Sequence, residues 1–114
     1  MAQRKTFAMA LTAPGTLEPI DLPIPDTTDD TALLRIEACG ICGTDCEQFA
    51  TGMRLPMPHI PGHEPLGIIE QLGDGAANRW NVDVGDRVAV ETLLSCRMCR
   101  RCLTGDYHLC DKRR

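Results

Sequence analysis

Cys96-Arg97-Met98-Cys99-Arg100-Arg101-Cys102-Leu103-Thr104-Gly105-Asp106-Tyr107-His108-Leu109-Cys110 carries four cysteines spaced three, three and eight residues apart. A run this short cannot build a hydrophobic core, so something other than burial must fold it. Thiolates at this spacing can converge on one tetrahedral ion, and structural zinc closed by four cysteines is the leading reading of a lobe over residues 95–111. Two disulfides, an iron–sulfur cluster or unrelated free thiols are the competing readings.

Working outward, the chain has seven cysteines, the other three being Cys39, Cys42 and Cys46. An odd number argues against a secreted disulfide framework, and Phe7 to Leu11, broken by Thr12 and Pro14, is a poor signal segment. No apolar run approaches the length that spans a bilayer. A reducing, cytoplasmic compartment is expected. Between Cys96 and Arg114 six cations (Arg97, Arg100, Arg101, Lys112, Arg113, Arg114) outnumber Asp106 and Asp111. They would offset the charge of a zinc tetrathiolate and help keep the thiols ionised. The whole chain carries −4, and Tyr107 stands alone among these cations, so neither a nucleic-acid nor a membrane partner is indicated.

The 114 residues, 43% hydrophobic and 25% charged, suit one globular domain that buries roughly two-thirds of its unfolded surface. With aromatics at 4%, the core must be aliphatic. Alternation over the first eleven residues predicts a strand ended by Ala13-Pro14-Gly15. Glu18 to Asp30, with its acids and prolines, reads as an extended surface connection at a sheet edge. Ala32 to Ala38 predicts a half-buried strand with Leu34, Ile36 and Ala38 on one face. Thr44 or Asp45 would cap a short helix through Phe49. Met53 to Pro61 reads as a loop, His63 to Gly73 as a buried strand, Val84 to Arg87 as a turn, and Val88 to Thr92 as a strand. Short strands with Gly and Pro punctuation predict a mainly β, barrel-like domain with little helix. No Gly-x-Gly-x-x-Gly follows a strand, so a nucleotide-binding fold is missing. The chain stops four residues after Cys110, which reads as truncation of something longer.

A second candidate metal group is Cys42, His63 and Glu64, since thiolate and neutral imidazole are good zinc ligands and an adjacent carboxylate can bind or tune the ion. Pro61 between His59 and His63 removes a helical two-histidine site, so His59 is expected in a loop. His108 is read as a surface residue, Cys39 as a buried strand residue and Cys46 as packing.

Gly62-His63-Glu64-Pro65-Leu66-Gly67, followed by Gly73 and Ala76, resembles the zinc signature of the medium-chain alcohol dehydrogenase family. Gly40-Ile41-Cys42-Gly43-Thr44-Asp45 resembles that family's first metal-ligand motif, and the four-cysteine spacing is similar to its structural-zinc lobe. The resemblance covers essentially the whole chain. It implies a GroES-like, partly opened barrel: the N-terminal part of a catalytic domain, with a Rossmann domain for NAD or NADP and a third zinc ligand lying beyond this sequence. It further implies that Cys42 and His63 bind catalytic zinc with Glu64 as an alternate ligand, and that Cys96, Cys99, Cys102 and Cys110 bind structural zinc. Asp45 would orient His63, and Thr44 would pass on the substrate proton. Glu47 stands where many relatives place a histidine, which leaves the proton route altered. The implied function is oxidation of an alcohol, polyol or sugar by hydride transfer in a homo-oligomeric enzyme, the fragment alone being inactive. A stand-alone, non-catalytic zinc module for protein contacts is the alternative.

Overall fold

The computed structural model describes residues 4–52 and 55–113. Two antiparallel sheets make the frame. β1 (Lys5–Ala13) and β2 (Thr16–Pro23) form a hairpin around Pro14 and Gly15, with a register shift between Leu11 and Ala13. β3 (Ala32–Gly40), β4 (Glu64–Leu72) and β5 (Arg87–Ala89) form a three-stranded sheet in the order β3-β4-β5. The helices are α1 (Gly43–Thr51), α2 (Asp74–Trp80) and α3 (Arg100–Leu103), followed by a 3₁₀ turn over Tyr107–Leu109. The mainly β expectation holds, with more helix than foreseen.

Several details differ from the sequence reading. The extended connection begins as the strand β2. Ile24 N–H donates to the Arg4 carbonyl at 2.9 Å, so even-numbered residues there direct their donors at β1. Pro19 and Pro23 fall on the opposite parity, where a missing N–H costs the ladder nothing. On β3 the expected face is interrupted between Ile36 and Ala38, where Glu37 is an extra residue against β4; the other register shift, at Leu33 and Leu34, has its extra residue, Glu70, on β4. Ile36, just before the bulge, is exposed. Each bulge turns the following side chain to the other face. Of the expected 53–61 loop, Met53 and Arg54 lie outside the described residues, as do Met1 to Gln3 of the first strand and Arg114 of the cationic run.

The sheets do not close on one another into a barrel among the described residues. The hairpin is joined to the loop that precedes β4 by a bridge in which the Leu11 and His59 backbones exchange hydrogen bonds of 2.7 and 3.0 Å. Gly15 N–H also donates to the Phe49 carbonyl at 2.6 Å. The buried apolar set is Ala10, Leu11, Ile69, Ala76 and Cys110. Such a core cannot bury two-thirds of the chain. The accessible surface is 8556 Å², against about 6,200 Å² for a closed monomer of this mass, so only about half of the unfolded surface is buried. The radius of gyration is 16.4 Å, where a closed domain of this length has roughly 13 Å. The excess surface is of the size of a large permanent interface. Phe7, Ile41, Leu94, Met98 and Leu103 are among the apolar side chains left exposed. No described helix is long and apolar enough to cross a membrane.

Candidate metal centres

Four sulfurs converge in the C-terminal lobe. Cys96 Sγ lies 3.9 Å from Cys102 Sγ, and Cys99 Sγ lies 3.5 Å from Cys102 Sγ and 4.0 Å from Cys110 Sγ. All the cysteines are free, and these separations are far beyond a bonded S–S pair. Ligands about 2.3 Å from a tetrahedral ion sit roughly 3.8 Å apart. The thiols are therefore spaced for one ion, with no room for a multi-iron core between them.

Local backbone produces this convergence. α3 starts immediately after Cys99 and brings Cys102 back over it, while the 3₁₀ turn delivers Cys110, the lobe's one buried residue. Backbone N–H groups aim at sulfur: Cys99 at Cys96, Cys96 at Cys110 and Lys112 at Cys110, each at 3.3 Å. N–H groups of Met98 and Cys99 pull the Cys96 thiol down to about 6. The Cys99 thiol is also held below its ordinary value, chiefly through the Cys102 backbone. Burial, followed by the neighbouring thiols, pushes Cys102 up to about 11. The thiols are thus uneven, Cys96 giving up its proton readily and Cys102 keeping its own.

Of the lobe's cations, Arg101 pairs with Asp111 at 3.3 Å and Arg113 donates to the His108 carbonyl at 3.1 Å. His108 stays outside the sulfur cluster, edge-on to the Tyr107 ring at 6.1 Å. The Tyr107 hydroxyl donates to Glu91 Oε2 at 2.9 Å, tying the lobe to the segment that follows β5. A cavity of about 330 Å³ lies beside this tie, lined by Leu93, Leu94 and Arg97 among others.

The second cluster forms where α1 begins. Neither Thr44 nor Asp45 is the helix cap. Cys42 is, its extended backbone (φ −108°, ψ 177°) placing Sγ to accept the Thr44 N–H at 3.3 Å. Asp45 answers from the third helical position, accepting the Cys42 N–H on Oδ2 at 2.9 Å. This is a capping box with a thiol in the usual hydroxyl position. It fixes Cys42 and Asp45 against each other before any long-range contact is made.

His63, at the entry to β4, completes the group. Its Nε2 lies 3.2 Å from Cys42 Sγ, and its Nδ1 lies 3.3 Å from Asp45 Oδ1. Donors of a tetrahedral zinc with one sulfur and one nitrogen sit about 3.5 Å apart, so Cys42 and His63 fit one ion with little adjustment. Asp45 is behind the ring, its side chain only 10% exposed. Oδ1 is shut off from solvent and makes no regular hydrogen bond, and the group it faces is the His63 ring. The Cys42 N–H, ahead of the His63 charge, holds the Asp45 carboxyl below its ordinary value.

The other expected members are spread around this pair. Thr44 is exposed, its hydroxyl free of hydrogen bonds among the described residues. Glu47 is exposed on α1 and meets its surroundings through its carbonyl, which accepts from Thr51 Oγ1 at 2.8 Å. Glu64 stands apart from the Cys42–Asp45–His63 group, its carboxylate folded against Gly40 across the β3–β4 ladder. His59 lies in its expected loop. Cys39 is on β3 but exposed, and Cys46 is likewise exposed, so neither is the packed residue expected. Both line an apolar cavity of about 440 Å³ with Leu11, Leu17 and Phe49; Asp45 is the member it shares with the metal group.

Comparison with known proteins agrees with this architecture. The alcohol dehydrogenase GroES-like domain matches residues 28–114. A Mycobacterium tuberculosis protein named "Probable alcohol dehydrogenase adh" is 46% identical over 103 residues, covering 90% of this chain and 28% of that protein. A sorbitol dehydrogenase of Bombyx mori is 38% identical over 78% of this chain and 26% of its own length. Among solved structures, a cobalt- and zinc-bound thermostable alcohol dehydrogenase from Pyrobaculum aerophilum superposes with a TM-score of 0.80 at 34% identity, over 96% of this chain and 33% of that one. This chain belongs to the alcohol dehydrogenase GroES-like domain family. It spans between a quarter and a third of the length of these relatives.

Proposed function

We propose that this chain supplies the metal-binding part of the catalytic domain of a zinc-dependent, NAD- or NADP-linked dehydrogenase that oxidises an alcohol or polyol to a carbonyl compound. The observation that carries this reading is the 3.2 Å approach of Cys42 Sγ to His63 Nε2, with Asp45 behind the ring. Zinc held there would supply Lewis acidity to an alcohol or carbonyl oxygen. The names of the relatives support the reaction class, and the cobalt- and zinc-bound neighbour supports the metal.

Each residue has a task that follows from its surroundings. Cys42 is the sulfur donor, its Sγ held in place by the Thr44 N–H. With Nδ1 turned to Asp45, His63 keeps its proton there and presents a lone pair at Nε2. Thr44 can accept a proton from a substrate hydroxyl while donating its own, and exposed Glu47 can carry that proton to water. Cys96, Cys99, Cys102 and Cys110 hold a second zinc whose role is to fold the lobe. The nicotinamide site, the remaining ligand of the first zinc and subunit contacts are assigned to the rest of the protein.

The test is turnover by the protein expressed from its complete reading frame, assayed with alcohols and polyols plus NAD or NADP. Cys42→Ser is expected to lower kcat/KM about a hundredfold or more, and the isolated 114-residue chain to show no turnover. Full activity in Cys42→Ser would end the proposal.

A further inference from the structure

We infer that Gly40 is a positioning residue: the absence of a side chain at this one β3 position holds the Glu64 carboxylate off the Cys42–His63 metal site. The inference rests on the metal-site reading above. Gly40 and Glu64 are cross-strand partners at adjoining ends of β3 and β4. A Cβ built on Gly40 would collide with Glu64 Oε2 and come within 3.1 Å of Cβ and 3.2 Å of Cδ of the same side chain. Glu64 therefore lies in space that any other residue at position 40 would fill.

Gly40 is not among the residues with positive φ, so its backbone does not ask for glycine. Gly62 differs, combining φ 104° with Cys39 Sγ only 2.8 Å from where a Cβ would stand. At Gly40 the demand is for room alone. Nothing polar retains the Glu64 carboxylate there, since it makes no hydrogen bond or ion pair among the described residues. Gly40 lies two residues before Cys42, and Glu64 adjoins His63. A carboxylate expelled from Gly40 is thus released beside both donors, where it can serve as a third ligand. Glycine at position 40 keeps the site open by default, leaving the coordination position for another ligand.

The experiment loads the lobe with one equivalent of zinc and then titrates cobalt(II), read by its visible absorption. The proteins are the wild type, Gly40→Ala, Glu64→Ala, the double variant, and Cys42→Ser as site control. Gly40→Ala is expected to bind cobalt about tenfold tighter, with an altered d–d spectrum, and the double variant to match Glu64→Ala. Equal or weaker binding in Gly40→Ala, or the same gain with and without Glu64, overturns the inference. If Gly40→Ala lowers the melting temperature, Glu64→Ala must restore part of the loss, because the nearest atom to that position is Glu64 Oε2, which the variant removes while keeping the Cβ at 3.1 Å; no restoration at all also overturns the inference. Cobalt binding that is unchanged in Cys42→Ser would overturn the metal-site reading itself, a result distinct from failure in the Gly40 variants alone.

Discussion

His63 Nε2 stands 3.2 Å from Cys42 Sγ although 21 positions separate the two residues. The contact joins the first turn of α1 to the entry of β4. Its α1 side is local, Cys42 capping the helix and Asp45 answering the cap, and the same carboxylate reaches across to the ring of His63. A helix N-terminus and a metal donor pair are thus one structure, so binding a cation should stiffen α1.

Asp45 tests that coupling. Its carboxyl is held below 3.8 by the Cys42 N–H and then by His63. A depressed folded-state value means that its contribution is present above the ordinary value and is lost as pH falls through the depressed one. Asp45→Asn should lower the melting temperature at pH 7, and the difference from wild type should shrink as pH falls below 3.8. The same variant should weaken metal binding at Cys42 and His63 about tenfold. Parallel melting curves across pH, with unchanged affinity, would contradict this role.

Zinc uptake by the lobe should release protons in a number set by the cluster's uneven thiols. Cys96, down at about 6, is largely ionised at pH 7, while Cys102, up at about 11, must give its proton up. Calorimetry in buffers of different ionisation enthalpy should give at least one and fewer than four protons per zinc at pH 7, and fewer as pH rises. Four released at pH 7 would mean that Cys96 is an ordinary thiol.

The tie between lobe and sheet is testable in isolation. Tyr107→Phe removes the hydroxyl that donates to Glu91 while leaving the ring. It should lower the melting temperature by a few degrees and raise the Glu91 carboxyl toward its ordinary value, leaving that carboxyl still supported by the Leu93 N–H. Zinc retention should be unaffected, because Tyr107 is not a donor.

Among the described residues Leu11 is the large side chain that is fully buried, at the bridge between β1 and the loop before β4. Leu11→Ala should cost about 3 kcal/mol, measured by denaturant unfolding. A loss below about 1 kcal/mol would mean that the site collapses onto the neighbouring cavity.

What was legible in the sequence was what rests on spacing. The four cysteines, the alternation leading into β3 and the run into β4 each predict their element. Less was legible where one feature overrode another. Two prolines disguised β2, although both fall at positions whose donors face away from β1. α2 was missed because Gly73, its cap, makes no side-chain capping bond, and Asp74-Gly75-Ala76-Ala77 gives little helical periodicity. Cysteine is an unusual cap, and with Thr44 and Asp45 close behind it the sequence points to those two instead of Cys42. The Glu64–Gly40 contact depends on strand register, which one bulge on β3 and one on β4 put beyond reading from alternation.

The central claim is that two metal sites of different strength share this chain. Native mass spectrometry under increasing chelator measures it most directly. The account predicts two zinc ions on the zinc-saturated chain, one leaving at low chelator and one retained, with Cys42→Ser abolishing only the labile ion and Cys99→Ser only the retained one. Two ions of equal tenacity, or a labile ion that survives Cys42→Ser, would contradict it.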